Sequence, residues 1–225
     1  GNFRLSPDQS RIALAVSSSQ DPFDVAVFDV RRGTIEKFTS HPSMDLVPVF
    51  SPDGTQLAFS SFRDGRFNPY VTSAPGRERR VADVGTTGGF PTHWSPDGKV
   101  LLYWGDEDLW IVPLDGARPY PYAKSKADER DGMFSPDGHW IAYTSNESGR
   151  YEVFVQRFPE EGGRRYPVSS QGGSNPAWRS DGKELFYITG DGRLTAVPVT
   201  LGDSSLDFGR AESLFQVQTG RIFRL

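Results

Sequence analysis

The sequence predicts an all-β fold of the β-propeller class, built from four-stranded antiparallel blades. The first observation behind this prediction is the stretch FSPDGTQLAF at residues 50–59, which has the composition of two short strands joined by a tight turn. The second is that variants of it recur at residues 5–14, 94–103, 134–143 and 178–187. The third is the spacing of the turn aspartates, at 45, 44, 40 and 44 residues. One hairpin signature in each period of this length is typical of β-propellers.

Each turn carries residue types that suit its positions. Pro52 sets the backbone angle of the first central position, Asp53 bonds the backbone locally, and Gly54 closes the turn with φ > 0. Gln9 takes the place of glycine in the first copy, where we expect a steric cost. The five aspartates would be spread around a ring, so we assign them to turn capping rather than to a metal or catalytic site. The predicted structural turn residues are Asp8, Asp53, Asp97, Asp137, Asp181, Gly54, Gly98, Gly138 and Gly182.

The repeat divides the chain into five blades of four strands, within one propeller domain over residues 1–225. The predicted blades cover about residues 2–40, 46–84, 90–123, 131–169 and 175–217. Residues 220–225 echo residues 2–5 and are expected to form an extra terminal strand. Five periods predict a five-bladed ring. The alternative is that the chain forms part of a ring of six to eight blades. The chain starts almost on a blade strand, which suggests a trimmed chain or mature fragment.

The repeat resembles the WD40-like (PD40) repeat of TolB-type β-propellers. The shared pattern is [Phe/Trp]-Ser-Pro-Asp-Gly-x-x-[Leu/Ile]-Ala-[Phe/Tyr], and residues 109–112 and 152–155 resemble the third strand of that family. Residues 144–159 are similar to the propellers appended to bacterial serine/threonine kinases. The resemblance covers nearly the whole chain and implies a bacterial extracytoplasmic location, in the periplasm or cell envelope. It is specific for the fold and not for the function, because one fold hosts many functions.

The composition argues against several classes of partner. The net charge of −4 gives no indication of nucleic-acid binding. No apolar run approaches the length of about 18 residues that spans a bilayer, so we expect no membrane insertion. The chain has no cysteine, which excludes disulfides and thiol chemistry. It also contains no Gly-x-Ser-x-Gly or His-Glu-x-x-His motif.

Propeller topology favours one face of the domain as the ligand face. The loops joining the second to the third strand, and one blade to the next, share this face, and they are longer and more varied than the turns opposite. His41, His93 and His139 fall at different phases of the repeat, so we predict no metal site, no catalytic residues and no cofactor. The acidic run at residues 106–108 lacks the ligand spacing of a calcium loop. The ligand-face candidates are Asp45, His93, Asp128, Arg130, Asp131 and Asn175.

Three functional hypotheses follow. The first is a non-catalytic module that binds a protein, a peptide or a small ligand, as a TolB-like protein or as the sensor domain of an envelope kinase. The second is a lyase or hydrolase with its site in the channel, which requires at least two histidines or carboxylates to meet there. The third is a propeller fragment or engineered assembly without independent function. Self-association through the terminal strands is a further expectation, because an open blade edge exposes unpaired backbone groups.

Overall fold

The computed structural model describes residues 3–18, 22–123, 125–159, 163–202 and 205–217. All regular structure in these ranges is β-strand, and the strands form five antiparallel sheets. The all-β prediction of four-stranded blades is therefore confirmed. None of these residues forms a helix that could cross a membrane. The sheets divide into a first unit, residues 1–106 and 110–121, and a second unit, residues 107–109 and 122–225. The single domain over residues 1–225 stays a prediction, and the terminal strand predicted at 220–225 lies outside the described residues.

The first three sheets belong mainly to the first unit. The first blade consists of β1 (Phe3–Leu5), β2 (Arg11–Val16), β3 (Asp24–Asp29) and β4 (Thr34–Lys37). The second consists of β5 (Asp45–Phe50), β6 (Leu57–Ser61), β7 (Asn68–Thr72) and β8 (Arg79–Arg80). The third consists of β9 (Gly89–Trp94), β10 (Val100–Gly105), β11 (Asp108–Pro113) and β12 (Tyr120–Ala123). Each sheet pairs its strands in chain order.

The last two sheets form the second unit. The fourth blade consists of β13 (Glu129–Phe134), β14 (Trp140–Ser145), β15 (Glu152–Arg157) and β16 (Arg165–Pro167). The fifth consists of β17 (Gly173–Trp178), β18 (Glu184–Thr189), β19 (Arg193–Leu201), β20 (Leu206–Phe208) and β21 (Glu212–Gln216). The start of β19 pairs with β21 and its end pairs with β20. The strand β20 has only three residues, which is too short for its period-2 alternation to be recognised in the sequence.

Within each unit, successive blades pack face to face. Phe50, Leu57 and Phe59 of the second blade are buried in one cluster with Ala13 and Val27 of the first. We call the face that packs on the preceding blade the leading face, and the opposite face the trailing face. The third blade repeats this packing on the second, and the fifth repeats it on the fourth. Large side chains on a leading face therefore meet small and β-branched side chains on a trailing face.

Two tryptophans that directly precede turns also connect blades through hydrogen bonds. Trp94 Nε1 donates a hydrogen bond to the backbone carbonyl of Val49, at 3.1 Å. Trp178 Nε1 donates in the same way to the carbonyl of Met133, at 3.3 Å. Each bond joins the innermost strand of one blade to that of the preceding blade. The repeated tryptophan thus contributes a polar anchor in addition to buried apolar area.

The turns are held by a short hydrogen-bond network. Asp53 Oδ1 accepts hydrogen bonds from the Ser51 hydroxyl at 2.6 Å and from the Thr55 backbone at 3.0 Å. The Ser51 hydroxyl oxygen accepts one from the Gln56 backbone at 2.9 Å. The hydrogen bond from Ser51, followed by those from Thr55, lowers the pKa of Asp53. The positive φ expected at the turn glycines is present, at 70° for Gly54, 71° for Gly98, 75° for Gly138 and 73° for Gly182.

The innermost strands contain a bulge that changes their predicted limits. Val47, Asp131 and Asn175 have φ of 53°, 56° and 54°, and the pairing register shifts around each of them. At each of these positions, two residues of the innermost strand lie opposite one residue of the neighbouring strand, as in a β-bulge. As a result β13 and β17 begin two residues before the predicted starts at 131 and 175. Asp131 and Asn175 therefore lie inside strands and not at the first residues of their blades. The predicted limits were wrong because a bulge interrupts the alternation by which a strand is recognised.

Candidate functional site

A polar cluster in the second unit lies where β13 begins, next to the entry into β15. The guanidinium carbon of Arg130 lies 3.9 Å from the centre of the Tyr151 ring. Arg130 Nη2 is 2.8 Å from Asp128 Oδ2, and the Tyr151 hydroxyl donates to that same oxygen at 2.9 Å. Three side chains, one at the start of β13, one just before it and one just before β15, therefore fix one another. We call this group, together with Asp131 and Asn175, the Arg130 cluster.

The Arg130 guanidinium is held in place but not enclosed. The Arg130 side chain keeps 35% of its surface exposed. Its Nε is buried and has no hydrogen-bond partner among the described residues. Stacking on an aromatic ring and pairing with a carboxylate restrict the arginine rotamers before any ligand arrives. The exposed part of the guanidinium is thus a pre-positioned donor for a carbonyl or carboxylate.

The bulges bring Asp131 and Asn175 into the same cluster. Desolvation raises the pKa of the Asp131 carboxyl, although Thr144, the Arg130 charge and the backbone N–H of Asn175 act in the opposite direction. The Asn175 residue is exposed, and its side-chain amide donates to the Ser174 hydroxyl at 3.0 Å. Four of the six predicted ligand-face candidates, Asp128, Arg130, Asp131 and Asn175, therefore meet in the second unit.

Asp45 lies in the first unit and is fully buried. Its Oδ2 is 3.1 Å from Arg63 Nη2, and the Arg63 guanidinium lies 4.8 Å from the centre of the Tyr70 ring. A second carboxylate, that of Glu78, is 3.9 Å from Arg63 Nη1. The Asp45 carboxylate is thus turned inward, into an ion pair that holds the start of β5 and the loop after β6.

His93 also lies in the first unit, inside β9 and half-buried. Desolvation, together with the positive charge of Arg4, lowers the pKa of His93 to about 4. The imidazole is consequently neutral at physiological pH. Over the ranges that the structure describes, no three histidine or carboxylate side chains come together in a way that could hold a metal ion.

The acidic run at residues 106–108 has a local structural use. Asp106 and Glu107 form the tight turn after β10, with φ of 53° and 66°. The Asp106 carboxylate accepts hydrogen bonds from the backbone and hydroxyl groups of Thr86 and Thr87. Desolvation acts to raise the pKa of Asp106, but these hydrogen bonds outweigh it and hold the pKa at about 2. The first carboxylate of the run therefore ties down the preceding loop.

Sequence reasoning missed Tyr151 and Arg63, the two residues that organise these groups. Tyr151 directly precedes β15, and Arg63 follows β6 in a short loop. Neither belongs to an alternating apolar pattern, and the resemblance of residues 144–159 to other propellers gives Tyr151 no binding role. The only signal in the sequence is their place in the loops between the second and third strands, which were already expected to carry ligand contacts.

Comparison with known proteins gives a consistent set of relatives. The PD40 family, described as the TolB β-propeller domain, matches residues 2–104. A TolB homologue of Chlorobium luteolum is 32% identical over 127 residues, which is 55% of this chain and 29% of that protein. Tricorn protease homologue 1 of Streptomyces coelicolor is 31% identical over 119 residues, which is 53% of this chain and 10% of that protein.

A solved structure agrees with the fold. The crystal structure of TolB from Acinetobacter baumannii matches with a TM-score of 0.70 and 18% identity, covering 89% of this chain and 52% of that one. Identity at this level supports a shared fold and nothing finer. The chain spans about half or less of the length of these three proteins.

Proposed function

We propose that this chain, whose residues 2–104 match the PD40 family of TolB β-propeller domains, is a non-catalytic module that binds a protein or peptide at the Arg130 cluster. The observation that carries the proposal is the arginine held between the Tyr151 ring and the Asp128 carboxylate, with a third of its surface exposed. Arginine and tyrosine are enriched among the residues that dominate binding energy at protein interfaces. A side chain that is already immobilised loses less entropy when it binds.

The cluster offers both kinds of hydrogen-bonding group to a peptide. The Arg130 guanidinium and the Asn175 amide are donors, and the Asp131 carboxylate is an acceptor. The Tyr151 ring forms the apolar support beneath the guanidinium. This arrangement suits an extended peptide that presents a carbonyl or carboxylate to Arg130 and an N–H group to Asp131.

The hydrolase or lyase hypothesis has one observation in its favour. The Asp128 charge contributes to the raised pKa of Asp131, so these two carboxylates lie near each other. However, Asp128 Oδ2 already accepts from both Arg130 and Tyr151. This occupation makes Asp128 a poor nucleophile or base and supports the binding function instead. The relative named as a protease homologue shares only 10% of its own length with this chain.

A peptide selection tests the proposed function. The immobilised chain is panned against a random displayed peptide library, and the dissociation constants of enriched peptides are measured by fluorescence anisotropy. We expect Arg130→Ala to weaken binding by roughly tenfold or more, since a hot-spot arginine contributes over about 1.4 kcal/mol.

Arg164→Ala is the matched control for this experiment. Arg164 also stacks on a tyrosine of the fourth blade, at 4.7 Å from the Tyr166 ring, but it lies at the opposite end of the blade. We expect this variant to bind the selected peptides like the unchanged chain. Failure to enrich any peptide, or equal binding by the Arg130→Ala variant, would contradict the proposal.

Two finer parts of the proposal rest on resemblance. The location is taken to be extracytoplasmic, in the periplasm or cell envelope, and cell fractionation with an antibody against the chain tests this. The role of sensor domain in an envelope kinase is supported by the similarity of residues 144–159 to kinase-appended propellers. Co-purification of the chain with kinase activity from its own bacterium tests that role.

A further inference from the structure

The second blade carries apolar residues at the positions where the fourth blade has the polar residues of the Arg130 cluster and of the loop beside it. The turn aspartates Asp53 and Asp137 fix the offset between the two blades at 84 residues. With this offset, Met44, Leu46, Val47, Phe62 and Phe67 stand where the fourth blade has Asp128, Arg130, Asp131, Asn146 and Tyr151. We call these five residues of the second blade the Phe62 patch.

The backbone supports this correspondence. The Phe62 N–H donates a hydrogen bond to the carbonyl of Met44 at 2.9 Å, and the Asn146 N–H donates in the same way to the carbonyl of Asp128 at 3.4 Å. Three residues after this donor, both loops have a glycine with positive φ, of 75° in the second blade and 89° in the fourth. The two blades therefore build the same loop arrangement with opposite chemistry, apolar in one and polar in the other.

The Phe62 patch is partly exposed, and a row of aromatic rings supports it. Met44 and Phe62 keep 37% and 38% of their surface exposed, and the other three members are half-buried. The centre of the Phe62 ring lies 5.1 Å from that of Phe67, which lies 4.9 Å from that of Phe90. Phe90 in turn stacks on Trp104 at 6.3 Å. Ring contacts within the first unit therefore fix the position of the exposed Phe62 ring.

Two glycines allow the backbone beneath this row to pack closely. A Cβ atom at Gly88 would lie 2.3 Å from the carbonyl oxygen of Phe67, and one at Gly89 would lie 1.8 Å from that of Trp104. Only glycine permits so close an approach of two backbone segments. The aromatic row therefore depends on both glycines, and the support beneath the Phe62 patch is rigid.

The charged side chains of the loop that contains Phe62 are all paired within the first unit. Arg63 keeps only 14% of its side chain exposed, and its partner carboxylate is fully buried. A charged ligand therefore gains little from this loop, whereas an apolar side chain gains by removing the exposed apolar area from water. The pairs are Arg63 with Asp45, Asp64 with Arg80, and Arg66 with Asp83.

We propose that the Phe62 patch binds an uncharged segment of a partner protein through aromatic or long aliphatic side chains of that segment. Aromatic residues and methionine are enriched at protein interfaces, and the flexible methionine side chain adapts its shape to a partner. The patch shares no residue with the Arg130 cluster. The proposal therefore goes beyond the peptide binding assigned to that cluster and does not depend on it.

A selection on the Arg130→Ala variant tests the Phe62 patch separately from the Arg130 cluster. The immobilised variant is panned against a random displayed peptide library, and the dissociation constants of enriched peptides are measured by fluorescence anisotropy. We expect peptides that are rich in aromatic residues, carry no net charge and bind no more weakly when the salt concentration is raised. Adding Phe62→Ser should weaken their binding by roughly tenfold or more, and Met44→Ser should weaken it as well.

Val30→Ser is the matched control, since Val30 is also an exposed apolar residue of the first unit but lies in the turn after β3, at the other end of its blade. It should bind the selected peptides like the Arg130→Ala variant alone, and thermal melting verifies that all variants are folded. Failure to enrich any peptide, enrichment of charged peptides alone, or equal binding by both the Phe62→Ser and Met44→Ser variants would overturn the proposal.

Two further measurements distinguish other occupants of the Phe62 patch. Sedimentation velocity of the unchanged chain over a wide concentration range should give a constant mass. Sedimentation with vesicles of neutral phosphatidylcholine should leave the chain in the supernatant. A mass that rises with concentration only when Phe62 is present would indicate a second copy of the chain, and vesicle binding lost in Phe62→Ser would indicate a lipid surface. Either result would contradict the proposed protein partner.

Discussion

Gln9 and Gly54 occupy the same turn position in the first and second blades, with φ of 59° and 70°. Gln9 adopts the left-handed conformation although it has a Cβ atom, which conflicts with the following carbonyl in that region. The surrounding hydrogen bonds are the same, since Asp8 accepts from the Ser6 hydroxyl at 2.6 Å, as Asp53 does from Ser51. The hydrogen bonds of the turn therefore impose positive φ at this position, whether it holds glutamine or glycine.

We expect Gln9→Gly to raise the free energy of unfolding by about 0.5–1 kcal/mol, because glycine adopts positive φ without steric conflict. Urea unfolding followed by circular dichroism measures the change. Gln9→Ala is the control, and it should have little effect because alanine keeps the Cβ atom. A Gln9→Gly variant no more stable than Gln9→Ala would show that the turn is not strained.

The turns could be predicted because their signals are local. Proline, aspartate and glycine each have a conformational role within a few residues, and five copies of the pattern fix the blade spacing. The bulges at Val47, Asp131 and Asn175 could not be predicted in this way. They depend on pairing with a strand some ten residues away, and a valine at φ of 53° opposes its own local preference.

The candidate site could be predicted only in part. Topology placed Asp128, Arg130, Asp131 and Asn175 near one end of the blades, and these four residues do lie together. The same reasoning placed Asp45 there, but the buried ion pair with Arg63 turns its carboxylate inward. The contact between Arg130 and Tyr151 joins the start of β13 to the residue before β15, and no periodicity in the sequence marks it.

Replacing Arg63 should destabilise the protein strongly. We expect Arg63→Ala to lower the free energy of unfolding by roughly 3–5 kcal/mol, because it leaves the buried Asp45 carboxylate without its partner. Adding Asp45→Asn to this variant should recover part of the loss. The control is Arg32→Ala, since the ion pair of Arg32 with Asp29 is solvent-exposed and should change stability by less than about 1 kcal/mol. Equal effects of the two arginine substitutions in chemical denaturation would contradict this prediction.

Val47 is expected to store backbone strain. We predict that Val47→Asn raises the free energy of unfolding by up to about 1 kcal/mol, because asparagine tolerates the left-handed conformation that a β-branched residue resists. Asn175 already holds the equivalent bulge position in the fifth blade. Val49→Asn provides the contrast, since Val49 is buried and is not at positive φ, and it should destabilise by about 2 kcal/mol or more. Similar losses in the two variants would mean that the bulge at Val47 is unstrained.

Asp131 should make the stability of the protein fall as pH rises. Desolvation raises the pKa of its carboxyl in the folded state above the ordinary value of 3.8. The folded protein therefore binds the proton more tightly than the unfolded chain does. The tighter proton binding contributes stability that is fully present when the pH is below the ordinary pKa of the carboxyl. That contribution is lost as the pH rises through the raised pKa of the folded state. We expect Asp131→Asn to be more stable than the unchanged protein at neutral pH, and the difference to disappear in acid.

Asp53→Asn should show the opposite dependence, because the hydrogen bonds from Ser51 and Thr55 lower the pKa of Asp53. Removing the Asp53 carboxylate should lower the free energy of unfolding at neutral pH. This loss of stability should disappear as the pH falls and the carboxyl of the unchanged protein becomes protonated. The free energies of unfolding of the unchanged protein, Asp131→Asn and Asp53→Asn are measured across a pH series. The difference between each variant and the unchanged protein should have opposite signs for the two variants. An Asp131→Asn curve parallel to that of the unchanged protein would show that this carboxyl has the same proton affinity in the folded and unfolded states.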